Sequence, residues 1–272
     1  MRHLRLLAMV VVLGGGGVTT MLVTRRPSND RAWAIDQRVL PRVAMVDSAI
    51  RIEGFRRFRY PTADSALPRW DTTTVDLRQL RSVWFVLALF SDGWRAPAHT
   101  FVSFGFADSS YVAVSVEARR EVDEPYGILR GAARNYELIY VIGDESDLIG
   151  RRVAANEGDV YLYPVAARAD QAQALFVDMM RRAERLRSAP EFYHTVTNSC
   201  NSNLVDHVNR VAPGAIPGGL KLLLPGYADE VAHGLGLIDD GASIDNVRLR
   251  YRINERGRPF LSDPAFSTRI RR

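Results

Sequence analysis

Apolar residues recur with period two over residues 99–106 and again over 111–119, and Ala107-Asp108-Ser109-Ser110 between them is of turn-forming composition. The two runs therefore predict a β-hairpin. Ahead of it, residues 82–90 are almost continuously apolar over a length that suits a strand buried on both faces. Residues 136–142 and 160–165 read as two more strands, in which Tyr161 and Tyr163 fit packing better than base stacking. Residues 33–46 show roughly helical spacing before Pro61 and Pro68 break the pattern. Between 170 and 187, Ala174, Leu175, Met179 and Leu186 mark one face of an amphipathic helix, and Leu204, Val208 and Val211 mark a second that starts near Cys200. Residues 220–225, a leucine run before a proline, read as core sooner than as a lipid contact. Strands in the middle and helices at either end give an α+β fold, with no internal repeat and no second domain boundary before Gly241.

The leader follows a different pattern. Arg2 and Arg5 make a basic start, residues 6–23 carry no charge, and Arg25 and Arg26 resume the polar chain. As a helix the uncharged stretch is about 27 Å long, close to the hydrocarbon thickness of a bilayer. A cleaved signal peptide is the competing reading, since residues 6–13 are compactly apolar and four glycines at 14–17 weaken a helix. No small-x-small cleavage site precedes Arg25. Residues 1–27 are thus expected to be a membrane anchor or signal peptide, with the single uncleaved span preferred. Arg2 and Arg5 favour an N-terminus inside, which puts residues 28–272 on the periplasmic side of the inner membrane.

Composition narrows the function. The chain has 272 residues, 47% of them hydrophobic, and one large domain of that size can exclude water from a reacting centre. Its formal charge of +5 is spread over scattered arginines, which argues against a nucleic-acid arm and fits an anionic membrane surface. There is no zinc-protease motif, no paired-cysteine metal spacing and no phosphate-cradling loop, so no metal or cofactor is expected.

Cys200 is the single cysteine, framed by Thr197-Asn198-Ser199 and Asn201-Ser202-Asn203. It cannot form an intramolecular disulfide, and its polar neighbours are unusual for apolar filler. At a helix N-terminus the free N–H groups favour a thiolate. An incidental, partly buried thiol is the alternative. A thiol nucleophile needs a base. His207, seven residues on along the same helix, lies about 10.5 Å down the axis and cannot reach the sulfur. His3 is in the leader, His194 is too close in sequence, and His233 reads as a surface or loop residue. His99, at the start of an alternating strand, is left as the candidate base, with a core histidine as the alternative. Glu117 is a carboxylate inside a strand-like run. A hairpin connection of three or five residues puts it opposite His99, and one of two or four turns it away; an exposed residue paired with an arginine is the other reading.

Arg56-Arg57-Phe58-Arg59-Tyr60, Ala98-His99-Thr100-Phe101-Val102-Ser103-Phe104, Ser115-Val116-Glu117-Ala118-Arg119, Val160-Tyr161-Leu162-Tyr163-Pro164, and Phe192-Tyr193 followed by Thr197-Asn198-Ser199-Cys200 together resemble the Lnb N-terminal periplasmic domain family. The resemblance runs from about Trp33 to Phe266-Ser267-Thr268-Arg269-Ile270-Arg271. It implies a permuted papain-like fold of the NlpC and lecithin retinol acyltransferase kind, with a central antiparallel sheet and the cysteine at a helix N-terminus. It also implies that Cys200 is the nucleophile, His99 the base and Glu117 the orienting residue. Family enzymes move an acyl chain to the amino group of a lipoprotein's N-terminal cysteine. Here Ser199, Asn201 and Ser202 replace residues of the family's usual Asn-Asn-Cys-Thr-Thr form.

The expectation is a cysteine acyltransferase or acyl hydrolase working through a thioester, with a lipoprotein or phospholipid as acyl donor and the membrane as partner. The Cys200 N–H and Asn198 are expected to hold the oxyanion, with Ser115 in support. The rival readings are a cell-wall peptidase or amidase using the same dyad, and an anchored binding domain without chemistry.

Overall fold

The computed structural model describes residues 25–62, 65–91, 93–95, 97–219, 224–238 and 241–272. The uncharged leader stretch and residues 220–223 of the leucine run lie outside the described residues. In chain order the strands are β1 (Arg42–Val46), β2 (Ala49–Arg56), β3 (Arg59–Thr62), β4 (Ser65–Leu67), β5 (Trp70–Asp76), β6 (Leu80–Leu89), β7 (Ala98–Phe106), β8 (Tyr111–Arg119), β9 (Glu137–Gly143) and β10 (Val160–Pro164). The helices are α1 (Ile128–Ala132), α2 (Glu145–Ala155), α3 (Ala169–Ser188), α4 (Cys200–Val211), α5 (Ala228–Gly234), α6 (Ile244–Tyr251), α7 (Asn254–Gly257) and α8 (Phe266–Arg269).

The large sheet runs β1-β2-β9-β8-β7-β6-β10, with β5 also paired to β2. Its pairs are antiparallel except at one junction, where Arg56 at the end of β2 meets Gly143 in parallel. The α+β class is therefore as expected, and the expected antiparallel sheet is corrected to a mixed one. A Cβ on Gly143 would stand 2.5 Å from the Arg56 carbonyl oxygen, so only glycine permits this approach. Arg56 is then fixed by a two-pronged ion pair to Asp147 on α2, both bonds 2.9 Å.

The strands are hydrophobic on both faces because both are covered. On one face Phe85, Leu87, Val102 and Phe104 pack against Leu175, Phe176, Met179 and Met180 of α3 and Leu204 of α4. On the other, Val86, Phe101, Ile139 and Val141 meet Leu148, Ile149 and Val153 of α2 and Phe266 of α8. The expected strands over 82–90, 136–142 and 160–165 and the helices over 170–187 and from Cys200 are all present. Ala174, expected on the buried face of α3, is exposed.

Residues 33–46 are not a helix. They form a single 3-10 turn, Ile35–Gln37, followed by β1. Pro41 removes a backbone donor where a helix would need one. Asp47, in the left-handed region at φ 52°, then turns the chain straight into β2.

Candidate active site

The hairpin between β7 and β8 sets the site. Phe106 N–H donates to the Ser110 carbonyl, and Ser109, at φ 64°, closes a loop of three residues, 107–109. The register that follows pairs Gly105 with Tyr111 and Val102 with Val114. Continued, it puts Glu117 opposite His99 and on the same face, the outcome expected of a three-residue connection.

The pairing stops at Val102 and Val114, while β7 stays paired to β6 through Ala98 and β8 to β9 through Arg119. The two strands therefore flare apart beside His99. Phe90 N–H bonds to the Pro97 carbonyl. By alternation along the ladder, His99 and Phe101 bond to β6, and the Thr100 N–H turns toward the gap that β8 has left.

On the α2 side of the flare a chain of hydrogen bonds fixes the imidazole. His99 Nε2 lies 2.6 Å from Ser115 Oγ, Ser115 Oγ donates to Glu117 Oε1 at 2.9 Å, and Gln37 Nε2 donates to Glu117 Oε2 at 3.1 Å. Glu117 itself stands 3.9 Å from Nε2, with Ser115 bridging the two. The Phe101 ring stacks on the imidazole at 5.3 Å. Arg56, Arg151 and Arg152 close the recess around Glu117.

Electrostatics decides the proton positions. Burial pushes His99 down to about 3, with Arg152 and Arg151 adding to the fall and Glu117 opposing it. Burial works to raise Glu117, but His99 and the guanidinium groups of Arg56, Arg152 and Arg151 outweigh it and hold the carboxyl below the usual carboxylate range. The pair settles as a carboxylate and a neutral imidazole. Because Ser115 has one hydrogen and gives it to the carboxylate, the network assigns the imidazole proton to Nε2. Nδ1 then carries the lone pair, with no hydrogen-bond partner among the described residues.

Cys200 stands on the other face, in the core with α3 and α4. It is the first residue of α4, behind a reciprocal cap in which Ser199 N–H donates to Ser202 Oγ at 2.7 Å and Ser202 N–H donates to Ser199 Oγ at 3.4 Å. Burial raises the thiol above its ordinary pKa; the backbone N–H and hydroxyl of Thr100 and the N–H of Asn201 act against that, and Glu117 adds to it. The released Thr100 N–H is thus among the groups that favour a thiolate at Cys200. Tyr193 and Tyr126 also act on the sulfur electrostatically. No hydrogen bond joins the thiol to His99 among the described residues: the structure gathers His99, Ser115 and Glu117 on one face and sets Cys200 with Thr100 on the other side of the flare.

Asn198 is engaged elsewhere. Its Nδ2 donates to the Phe192 carbonyl at 2.8 Å and its Oδ1 accepts from Asn203 at 2.8 Å, which closes the loop leading into α4. His207 is fully buried between Tyr140 and Asp178, with 2.6 Å contacts on both sides. His194 Nδ1 accepts from the N–H groups of Val196 and Thr197 inside the same loop. His233 Nε2 reaches the Ala242 carbonyl at 3.0 Å. Two contributors were not singled out from sequence. Thr100 sits beside His99 in a motif that drew notice for the histidine, and Gln37 is 80 residues from Glu117 in a segment read as helical, with no local signal to mark it. No group of three or more metal-ligating side chains occurs among the described residues.

A second cavity, of about 80 Å³, lies along α4 between Asn201, Leu204, Val205 and Val208 on one wall and Ala228 and Val231 of α5 on the other. Val102 and Phe85 form its floor.

What these parts define is an α+β domain with a buried thiol at a helix start beside a histidine, serine and carboxylate chain. The chain belongs to the Lnb N-terminal periplasmic domain family, whose model matches residues 66–225, more than half of its length. That membership fits a periplasmic, membrane-associated protein. No curated protein and no solved structure matches it. No helix among the described residues is long and apolar enough to cross a membrane.

Proposed function

We propose that this chain is a membrane-anchored thiol acyltransferase or acyl hydrolase with a permuted papain-like arrangement, in which histidine precedes cysteine along the chain. The observation that carries the reading is the His99-Ser115-Glu117-Gln37 chain, which leaves a neutral imidazole with its Nδ1 lone pair unengaged beside the flare that Cys200 adjoins. His99 Nδ1 takes the thiol proton, and the thiolate attacks an ester carbonyl. The carbonyl electrons move to oxygen, which the backbone N–H groups at the start of α4 hold. Collapse forms a thioester and expels the alcohol, which leaves with the proton from His99. An amine or water then attacks the thioester and restores the thiol.

The resting thiol is protonated and not hydrogen-bonded to His99, so substrate entry must bring the two together. An acyl donor such as a lipoprotein or phospholipid is favoured over a cell-wall peptide by the apolar cavity next to Asn201, which has room for about three water-sized groups before any movement. The purified full chain, given phospholipid or a diacylated lipopeptide, is expected to release or transfer an acyl group, and Cys200→Ala to fall to background. Full turnover in Cys200→Ala refutes the mechanism, and peptidoglycan cleavage without lipid turnover selects the amidase reading.

A further inference from the structure

Five of the twelve large apolar side chains exposed among the described residues are Val122, Tyr126, Ile128, Leu129 and Val196, and they belong to two segments that touch. Thr195 Oγ1 donates to the Ile128 carbonyl at 2.8 Å, and Gly131 packs so closely on Thr195 that a Cβ there would clash. Leu129 is 84% exposed, the most open of the twelve, and single exposed leucines need no explanation whereas a gathered set does. Within residues 120–134 formal charge cancels, with Arg120, Arg130 and Arg134 against Glu121, Asp123 and Glu124.

The N-terminal end of the domain arrives at this same place. Val122 N–H donates to the Ala32 carbonyl, Ser28 N–H reaches Glu137, and Arg25 Nη1 donates to Asn135 Oδ1 at 3.1 Å, three residues past the end of α1. Val23, at the end of the uncharged leader stretch, is two positions before Arg25. Two residues span at most about 7 Å. Wherever the uncharged stretch leaves a bilayer, the end of the domain that carries Asn135 and α1 is therefore held against it.

We infer that this face docks on the lipid surface, with Leu129, Ile128 and Val122 entering the interfacial layer and Tyr126 at its edge. Because the charges balance, apolar burial drives the contact and zwitterionic lipid suffices. Tyr193 lies against Gly131 of α1 and shares the core with Cys200, so docking places the thiol beneath the side of the domain that lipid reaches. This deepens the acyl-transfer reading by fixing where its substrate comes from, yet it is tested without catalysis.

The test uses the full chain reconstituted in phosphatidylcholine vesicles, in a Cys200→Ser background, with one fluorophore attached through Leu129→Cys, Val122→Cys or Leu249→Cys. Leu249, on α6, is 75% exposed and serves as the control. A nitroxide-bearing lipid is expected to remove most of the fluorescence at positions 129 and 122 and little at 249, and aqueous iodide to do the reverse. Adding Ile128→Asp is expected to restore most of the fluorescence at 122. Equal access of iodide to all three labels, lipid quenching at 249 in place of 129, or failure of the chain to stay with the vesicles each overturns the inference.

Discussion

Lowering the pH from 7.5 to 4.5 isolates the buried imidazole. Folded His99 titrates near 3, whereas the same side chain in the unfolded protein titrates near 6.5. Between those values the unfolded chain binds a proton that the folded chain refuses, so stability is complete above 6.5 and falls as pH drops toward 3. Each pH unit below 6.5 costs about 1.4 kcal/mol, and the two units down to 4.5 cost at most about 2.7 kcal/mol. Glu117, whose folded pKa is depressed, loses its stabilisation only as pH falls below 4.5, outside this window. His207 is also depressed, but it is present in both proteins compared and cancels. The assay is urea unfolding of the wild type and His99→Gln at both pH values. The wild type should lose about 2.7 kcal/mol more than the variant over that range. A stability difference that stays constant with pH would mean that folded His99 takes up its proton at the same pH as the unfolded chain, and the claim that burial holds the imidazole neutral down to pH 4.5 would be wrong.

Three further outcomes follow from the same geometry. Alkylation of Cys200 by iodoacetamide in the resting protein should accelerate with pH through an inflection above 9.0, because burial raises the thiol; an inflection below 7 would reveal a preformed thiolate and imidazolium pair. Ser199→Ala removes one half of the reciprocal cap of α4 and should cost about 1 kcal/mol, a fall of a few degrees in Tm, with Ser199→Asp recovering most of it. Asp147→Ala strands the buried Arg56 guanidinium and should cost about 3 to 5 kcal/mol in urea unfolding, whereas Glu53→Ala, which breaks an exposed pair with Arg51, should cost less than about 1 kcal/mol.

The parts of the molecule legible in the sequence are those where one physical rule dominates. β6 is readable because a strand buried on both faces must be apolar throughout, and the β7/β8 hairpin because its faces alternate. The place of Cys200 was legible from the polar residues that cap α4, whereas the facing of Glu117 depended on whether the hairpin loop held an odd or an even number of residues, which turn composition alone does not fix. Residues 33–46 misled because β1 carries apolar Ala44 and Val46 on its exposed side, so the alternation of its burial does not show in the sequence. The flare between β7 and β8, which frees the Thr100 N–H, has no sequence signal at all: it arises where β8 follows β9 and β7 follows β6. Gln37 was invisible for the same kind of reason, since its role depends on a contact made 80 residues away.

The most direct test of the thiol chemistry is the intact mass of the full chain after brief exposure to phospholipid, followed by peptide mapping. A hydroxylamine-labile acyl adduct on Cys200 in the wild type, absent from His99→Gln, is the predicted result. Lipid turnover with no adduct on Cys200, or turnover that persists in Cys200→Ala, would contradict it.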